Sequence, residues 1–265
     1  MSTVGVVTGA GRGMGLACAR RLAGTVDTVL LVDRDEPTVT AAARELPGAE
    51  PFGLDITDPE GLARLATRVS ALGTLRSVAH AAGISPTMAG WRRIITVDLV
   101  GTARLVDALR PLVIEGTALV CFASMAPMLG SFDPGPDVLD DPLRADFTDR
   151  LRTAIGPSIE DTGVAYSLAK LGVHRFVRRE AVRLGRAGAR ICSVSPGLID
   201  TPQGRQEAGQ HGSMAELARR TPLGRQGRAD EVAAVVAFAL SDEAAFLTGI
   251  DLLVDGGLVA AVTTR

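Results

Sequence analysis

Six short apolar runs recur along the chain: "VGVVTG" (4–9), "TVLLVD" (28–33), "SVAHAAG" (77–83), "TALVCFAS" (117–124), "ARICSVS" (189–195) and "DLLVDGG" (251–257). They are rich in Val, Leu and Ile and do not alternate with polar residues, which is how strands read when both faces are covered. A further strand is expected to end at "LDITD". Between the runs lie amphipathic stretches of helical length at 13–24, 58–71, 93–109, 165–186 and 229–240. Strand alternating with helix predicts βαβ units with right-handed crossovers. The fold class is therefore α/β: a doubly wound parallel sheet with helices on both faces, in one domain over 1–265.

Apolar residues make up 46% of the chain, ample for a large core. A net charge of −2 provides no basic footprint for nucleic acid and no polybasic patch for a membrane. No apolar run reaches membrane-spanning length. The first residues already read as strand, so no signal peptide is expected and the location is expected to be cytoplasmic. Cys18, Cys121 and Cys192 lie far apart in apolar surroundings, without metal-ligand spacing, and read as buried free thiols. No metal site is expected.

One segment breaks the rhythm. Residues 127–163 are rich in Pro, Gly and Asp, and within them Leu139, Leu143, Phe147, Leu151 and Ile155 repeat every four residues. That spacing predicts one apolar helical stripe, an inserted helix lying on the body of the protein.

The first strand runs into "TGAGRGMG", with Gly9, Gly11, Gly13 and Gly15, and then into a helix. Glycines there allow a tight turn and close approach of backbone to a pyrophosphate, which the helix N-terminus attracts. No lysine follows the last glycine, which excludes a phosphoryl-transfer P-loop. The second strand ends at Asp33, 24 residues after Gly9, where a carboxylate can accept from both ribose hydroxyls of an adenosine. It also repels a 2′-phosphate, so NAD is preferred over NADP. Arg12 and Arg34 pull the other way, since either can meet a phosphate. Asp55 is placed to accept from an adenine amino group, with Ile56 beside it. Ala81, Ala82 and Gly83 leave room for the cofactor. His80 reads as a strand-end histidine with a satisfied ring, not a catalytic one.

The chain has a single tyrosine and a single lysine, both in "AYSLAK" (165–170); every other basic side chain except histidine is arginine. Tyr166 and Lys170 stand one helical turn apart and share a face. A phenol is a poor base at neutral pH, and an adjacent ammonium favours the phenolate. A phenolate can take the hydroxyl proton of an alcohol, and the phenol can return it to a ketone. Arginine's planar fork fits poorly where a compact donor must reach ribose hydroxyls.

Taken together, "TGAGRGMG", Asp33, "HAAG", Ser124, "YSLAK", "SPGLIDTP" (195–202), "PLGRQGRADEVA" (222–233) and "LTGIDLLVDGG" (247–257) resemble the short-chain dehydrogenase/reductase family, in the family's order over almost the whole chain. The resemblance implies a Rossmann-like NAD(P)-binding domain. Tyr166 is then the general acid/base, Lys170 the ribose-binding residue that lowers the tyrosine pKa, and Ser124 the residue that orients the substrate oxygen. Met14 in the glycine turn and Pro196, Gly197, Ile199 and Thr201 become candidate cofactor contacts. It also implies a homodimer or homotetramer. Asp98 stands where the family usually carries an Asn whose main-chain carbonyl joins a proton relay. Ser124 precedes Tyr166 by 42 residues, where the family usually has a short spacer. A similar enlargement marks the bacterial 3α-hydroxysteroid dehydrogenase/carbonyl reductase branch, where it covers a helix face otherwise used for dimerisation. Here it is expected to do the same or to roof the substrate pocket.

Residues 203–221 read as a substrate lid, with hinges at Gly204, Gly209 and Gly212, a short helix from Ser213, and His211 exposed on it. Met88, Trp91 and Met125 are candidates for the pocket or for the core. The expected activity is hydride transfer between NAD(H) and a secondary alcohol or ketone with a largely apolar, alicyclic or steroid-like body. The alternatives are an NADPH-dependent 3-oxoacyl thioester reductase and a non-catalytic NAD(H) sensor. A sugar-nucleotide epimerase needs a larger C-terminal substrate region.

Overall fold

The computed structural model describes residues 2–130, 135–210 and 213–264, except the side chains of 207–210 and 213–215. β1 (Thr3–Thr8) turns into α1 (Gly13–Leu22) and is followed by β2 (Thr28–Asp33), α2 (Glu36–Arg44), β3 (Ala49–Gly53), α3 (Pro59–Leu72) and β4 (Thr74–His80). Next come α4 (Trp91–Ile95), a π-helical turn (Thr96–Gly101), α5 (Thr102–Leu109), β5 (Ala118–Phe122), α6 (Phe147–Ile155) and α7 (Thr162–Gly185). β6 (Arg190–Pro196) leads to the short β7 (Ile199–Asp200), then α8 (Pro202–Gln210), α9 (Ser213–Arg220) and β8 (Gly227–Arg228), which pairs back with β7. α10 (Ala229–Leu240), β9 (Asp251–Val254) and α11 (Leu258–Thr263) complete the chain.

The main sheet has seven strands in the order β3-β2-β1-β4-β5-β6-β9, with every neighbouring pair parallel. Successive strand residues feed opposite faces. Leu30 and Val32 join the core beneath α3, α5 and α7, while Val29 and Leu31 join the core beneath α1, α2 and α10. Two covered faces explain the absence of alternation in the sequence. The strand order reverses between β1 and β4, so their C-terminal ends open the crevice in which such sheets bind ligands.

One strand ends earlier than expected, and one helix escapes the sequence pattern. β3 reads "AEPFG"; it is an edge strand, where Pro51 costs no interior ladder bond. "LDITD" is the loop after it and not its end. α2 buries only Val39, Ala42 and Ala43, too narrow a face to register, yet Asp35 caps it by accepting from the Thr38 amide (3.2 Å). The helix expected over 93–109 is broken by the π turn that contains Asp98. The three cysteines are buried and free, and burial pushes the Cys18 and Cys121 thiols up to about 12. Among the described residues no helix is long and apolar enough to cross a membrane.

The insertion does carry a helix, α6, but the period-four stripe is not one helix. Leu139 sits in a separate 3-10 turn (Asp137–Asp140), and Leu143 lies in a turn, 42% exposed. Leu139, Phe147 and Leu151 are buried in the main core, Ile155 packs partly against it, and Ile159 joins from beyond the stripe. Arg175 of α7 grips Asp140 with two hydrogen bonds of 2.7 Å, and this fork holds the Asp140 carboxyl below its usual range. Arg92 of α4 reaches Asp149 at 3.3 Å. The segment is thus strapped across α7 and α4. The described part of its middle does not roof the crevice.

At the switch point, Thr8, His80 and Thr102 form a buried chain whose direction is fixed. The Thr102 hydroxyl donates to the Asp98 carbonyl (2.8 Å), so His80 Nε2–H must donate to Thr102 Oγ1 (2.9 Å). Nδ1 then accepts from the Thr8 hydroxyl (2.7 Å), whose oxygen takes the Ala82 amide (3.2 Å). The ring is satisfied, as the sequence reading expected. Burial, and after it the charge of Lys170, pushes His80 down to about 3.

Truncating the buried Leu151 (Leu151→Ala) should cost about 2–5 kcal/mol in urea unfolding, and Leu143→Ala less than about 0.5 kcal/mol; similar losses would mean that the stripe is buried as one face. His80 stays neutral in the folded chain while its unfolded form gains a proton below about pH 6.5, so stability must fall as pH drops through that window. Depressed carboxylates begin to act below about pH 5 and do so in both the wild type and a His80 variant, so they cancel in the comparison. Between pH 6.5 and 4.5 the wild type should therefore lose about 2 kcal/mol more than His80→Gln. An equal loss in both proteins would show that His80 is protonated in the fold.

Candidate active site

The turn between β1 and α1 leaves no room for side chains. Gly9 has φ +66°, and a Cβ there would stand 2.8 Å from the Ala82 nitrogen. A Cβ on Gly15 would stand 2.1 Å from the Gly9 carbonyl oxygen. α1 therefore starts hard against the turn, and no side chain caps it. Its first amides lack intrahelical acceptors, which suits pyrophosphate oxygens. A cavity of about 600 Å³ runs from this turn along the C-terminal ends of the strands. All the predicted site residues line it except Gly11 and Asp98, which act from behind the wall.

The Gly11 N–H donates to Asp33 Oδ2 (3.0 Å), while the Asp35 amide donates to Oδ1 (3.0 Å). Two backbone donors thus aim the Asp33 carboxylate and leave it lone pairs for ribose hydroxyls. Arg12 is paired with Asp35, and Arg34 lies exposed at the cavity mouth. Asp55 lines the wall, and both of its oxygens take hydrogen bonds from the chain, although Oδ2 takes only one and keeps a lone pair. Oδ1 accepts from the Thr57 amide (2.9 Å) and hydroxyl (2.8 Å), and Oδ2 accepts from Arg93 (2.6 Å). Partial burial raises the Asp55 pKa, but these hydrogen bonds outweigh it and hold the carboxyl below its usual range.

At the other end, Asp161 caps α7 by accepting from the Gly163 (2.8 Å) and Val164 (3.0 Å) amides. The helix begins three residues before its predicted start, so Tyr166 and Lys170 lie inside it, one turn apart. Lys170 Nζ lies 5.5 Å from the Tyr166 ring centroid and donates to the Phe122 carbonyl (3.2 Å). Asp98 is fully buried, with Oδ2 3.8 Å from Lys170 Nζ and Oδ1 accepting from the Ile84 amide (2.8 Å). A Cβ on Gly83 would stand 3.0 Å from Asp98 Oδ1 and 3.3 Å from Lys170 Nζ, so the ion pair occupies the space a side chain would need. Ser124, just past β5, accepts the Ala126 amide (3.2 Å) on Oγ, which leaves its own proton to give. The 41 intervening residues loop out onto α7 and α4, and Ser124 and Tyr166 return to the same cavity.

Met88 and Met125 line the cavity; Trp91 does not, packing on the core with Arg92 4.5 Å from its ring centroid. Pro202, Gln203, Gly204, Gln206 and Leu217 also border the cavity. Gly204 and Gly209 lie inside α8 and not in loops; a Cβ on Gly204 would stand 2.4 Å from the Ile199 carbonyl oxygen. His211 and Gly212 fall outside the described residues. Sequence reasoning missed Arg93 and the glutamines Gln203, Gln206 and Gln226. No local spacing ties Arg93 to Asp55, and Gln226 sat unremarked in "PLGRQGRADEVA".

The short chain dehydrogenase family model matches residues 3–132, and the enoyl-(acyl carrier protein) reductase model matches 154–259. The stretch between them lies inside the insertion. The chain is 34% identical to the cis-4-hydroxycyclohexanecarboxylate dehydrogenase of Sinomonas cyclohexanicum over 97% of its own length and 96% of the relative's. It is 28% identical to the 3-alpha-hydroxysteroid dehydrogenase/carbonyl reductase of Comamonas testosteroni, over 89% and 98%. A short-chain type dehydrogenase/reductase from Mycobacterium ulcerans superposes with a TM-score of 0.78 at 26% identity, covering 98% of this chain and 90% of that one. The chain belongs to the short-chain dehydrogenase/reductase family, oxidoreductases that use NAD(P) and act on alcohols and ketones.

Proposed function

We propose that this protein interconverts a secondary alcohol and its ketone with NAD(H), using Tyr166 as the general acid/base. The observation that carries this reading is the Tyr166–Lys170 pair in the wall of the cavity that begins at the glycine turn. When bound, the nicotinamide would accept a hydride from the carbinol carbon or return it. The turn at Gly9–Gly15 would hold the pyrophosphate, and Asp33 the adenosine ribose. In oxidation, the Tyr166 phenolate takes the hydroxyl proton of the alcohol; in reduction, the phenol returns it to the ketone oxygen. Ser124 donates its proton to the same oxygen and fixes its position.

Lys170 has three protons, of which the Phe122 carbonyl takes one. The others remain for ribose hydroxyls, and the ammonium favours the phenolate of Tyr166. Asp98 holds Lys170 from behind, and its carbonyl has a second lone pair beyond the one Thr102 uses, so an Asp satisfies the geometry expected of an Asn. This supports an enzyme over a silent NAD(H) sensor. α8 and α9 would close over bound substrate as the lid. We assign the protein to the cytoplasm and expect a homodimer or homotetramer whose contacts avoid the parts of α7 and α4 covered by the insertion.

Asp33 supports NAD, because its oriented carboxylate would repel a 2′-phosphate. NADH should bind at least about 10-fold more tightly than NADPH in fluorescence titration, and Asp33→Ala should narrow the difference. Tighter NADPH binding would favour the thioester reductase. With a panel of alicyclic secondary alcohols, Tyr166→Phe should lower kcat by about 10²–10⁴-fold while leaving NADH affinity within about 3-fold of wild type. Undiminished turnover in Tyr166→Phe would overturn the mechanism.

A further inference from the structure

The charges that line the cavity are distributed unevenly. Arg12, Asp33, Arg34, Asp35, Asp55 and Arg93 all lie on the turns around β1, β2 and β3 and the adjoining α4, at the adenosine end. Two of the arginines there are already neutralised, Arg12 by Asp35 and Arg93 by Asp55. Beyond Tyr166 the wall changes character. Met88, Met125, Leu129, Leu198 and Leu217 supply apolar surface, and the remaining polar side chains include the amides of Gln203, Gln206 and Gln226. Among the described residues the only charged side chain lining this end is Lys170, which is 5% exposed and lies beside Asp98. Arginines on the neighbouring segments are turned to carboxylates of their own: Arg205 to Asp200, Arg219 to Glu216 and Arg225 to Glu231. None of the three lines the cavity.

We infer that the substrate is electrically neutral: a secondary alcohol or ketone on an apolar, alicyclic body, whose remote end carries an uncharged hydrogen-bonding group such as an amide, hydroxyl or ether. The inference rests on the proposed alcohol–ketone chemistry for its reacting carbon. Among the described residues, a carboxylate carried into this end would shed water and meet no cation except Lys170, which Asp98 already balances, a cost that apolar contacts do not repay. Primary amides both donate and accept, so the three glutamines can read a neutral polar group without demanding a charge. This sets the chain apart from its 34%-identical relative, whose named substrate carries a carboxylate on the ring.

A matched pair of probes isolates the charge. 4-Hydroxycyclohexanecarboxamide and 4-hydroxycyclohexanecarboxylate share a ring and a reacting carbon and differ in ionisation at pH 7.5. Oxidation with NAD⁺ gives kcat/KM for each, and quenching of NADH fluorescence gives the affinity of the enzyme–NADH complex for the two corresponding ketones. The carboxamide should lead the carboxylate by about 30-fold in both measurements. In Gln206→Arg, which places a cation in the wall, the ratio should fall at least about 10-fold. A carboxylate used and bound as well as the carboxamide would overturn the inference while leaving the alcohol–ketone reading intact. Preferential binding of the neutral ketone without turnover of either alcohol would do the reverse. Binding of neither ketone, or a ratio unmoved by Gln206→Arg, would also overturn the inference.

Discussion

The close approach of backbone to backbone at the end of β1 is the constraint on which the crevice depends. Gly9 lies against Ala82 after β4, and Gly15 lies against the Gly9 carbonyl. A single methyl group at either place would push α1 away from the sheet or β4 away from β1. Because the strand order reverses between these two strands, their separation sets the width of the crevice. The buried chain through Thr8, His80 and Thr102 fixes the same spot from behind and ties it to the Asp98 carbonyl. Packing thus connects the glycine turn to the lysine-bearing end of the cavity through groups that need not touch a ligand.

Electrostatics divides the cavity into two parts. At the end formed by the turns after β1, β2 and β3, Arg12 pairs with Asp35 and Arg93 with Asp55, and Asp33 is held by two amides. At the reacting end, one buried ammonium is balanced by one buried carboxylate. Breaking such a pair strands a charge away from water, so Lys170 and Asp98 form a unit and neither is an independent decoration. Among the described residues, Lys170 is the one charged side chain on this part of the lining.

The insertion shows how a long excursion can leave a site undisturbed. Its buried residues reach the core from two separate elements, and Arg175 and Arg92 tether it to α7 and α4. Of its described residues, those that border the cavity lie at its ends, Leu129 and Gly163. Ser124 and Tyr166 therefore line one cavity despite the long intervening chain.

The sequence alone determined what short-range periodicity can encode. Non-alternating apolar runs declared a covered parallel sheet, the glycine spacing declared the turn, and a four-residue gap placed Tyr166 and Lys170 on one helix face. α2 went unread because its buried face is too small to leave a pattern, and the third strand was expected but with its end placed in the loop that follows β3. The tertiary structure decided everything that depends on residues remote in the chain: the Asp98–Lys170 pair, the capture of Asp55 by Arg93, the placement of Gly11 behind the wall and the broken stripe of the insertion. Each of these is set by which surfaces meet once the sheet is wound, and no local spacing in a single chain records such a meeting.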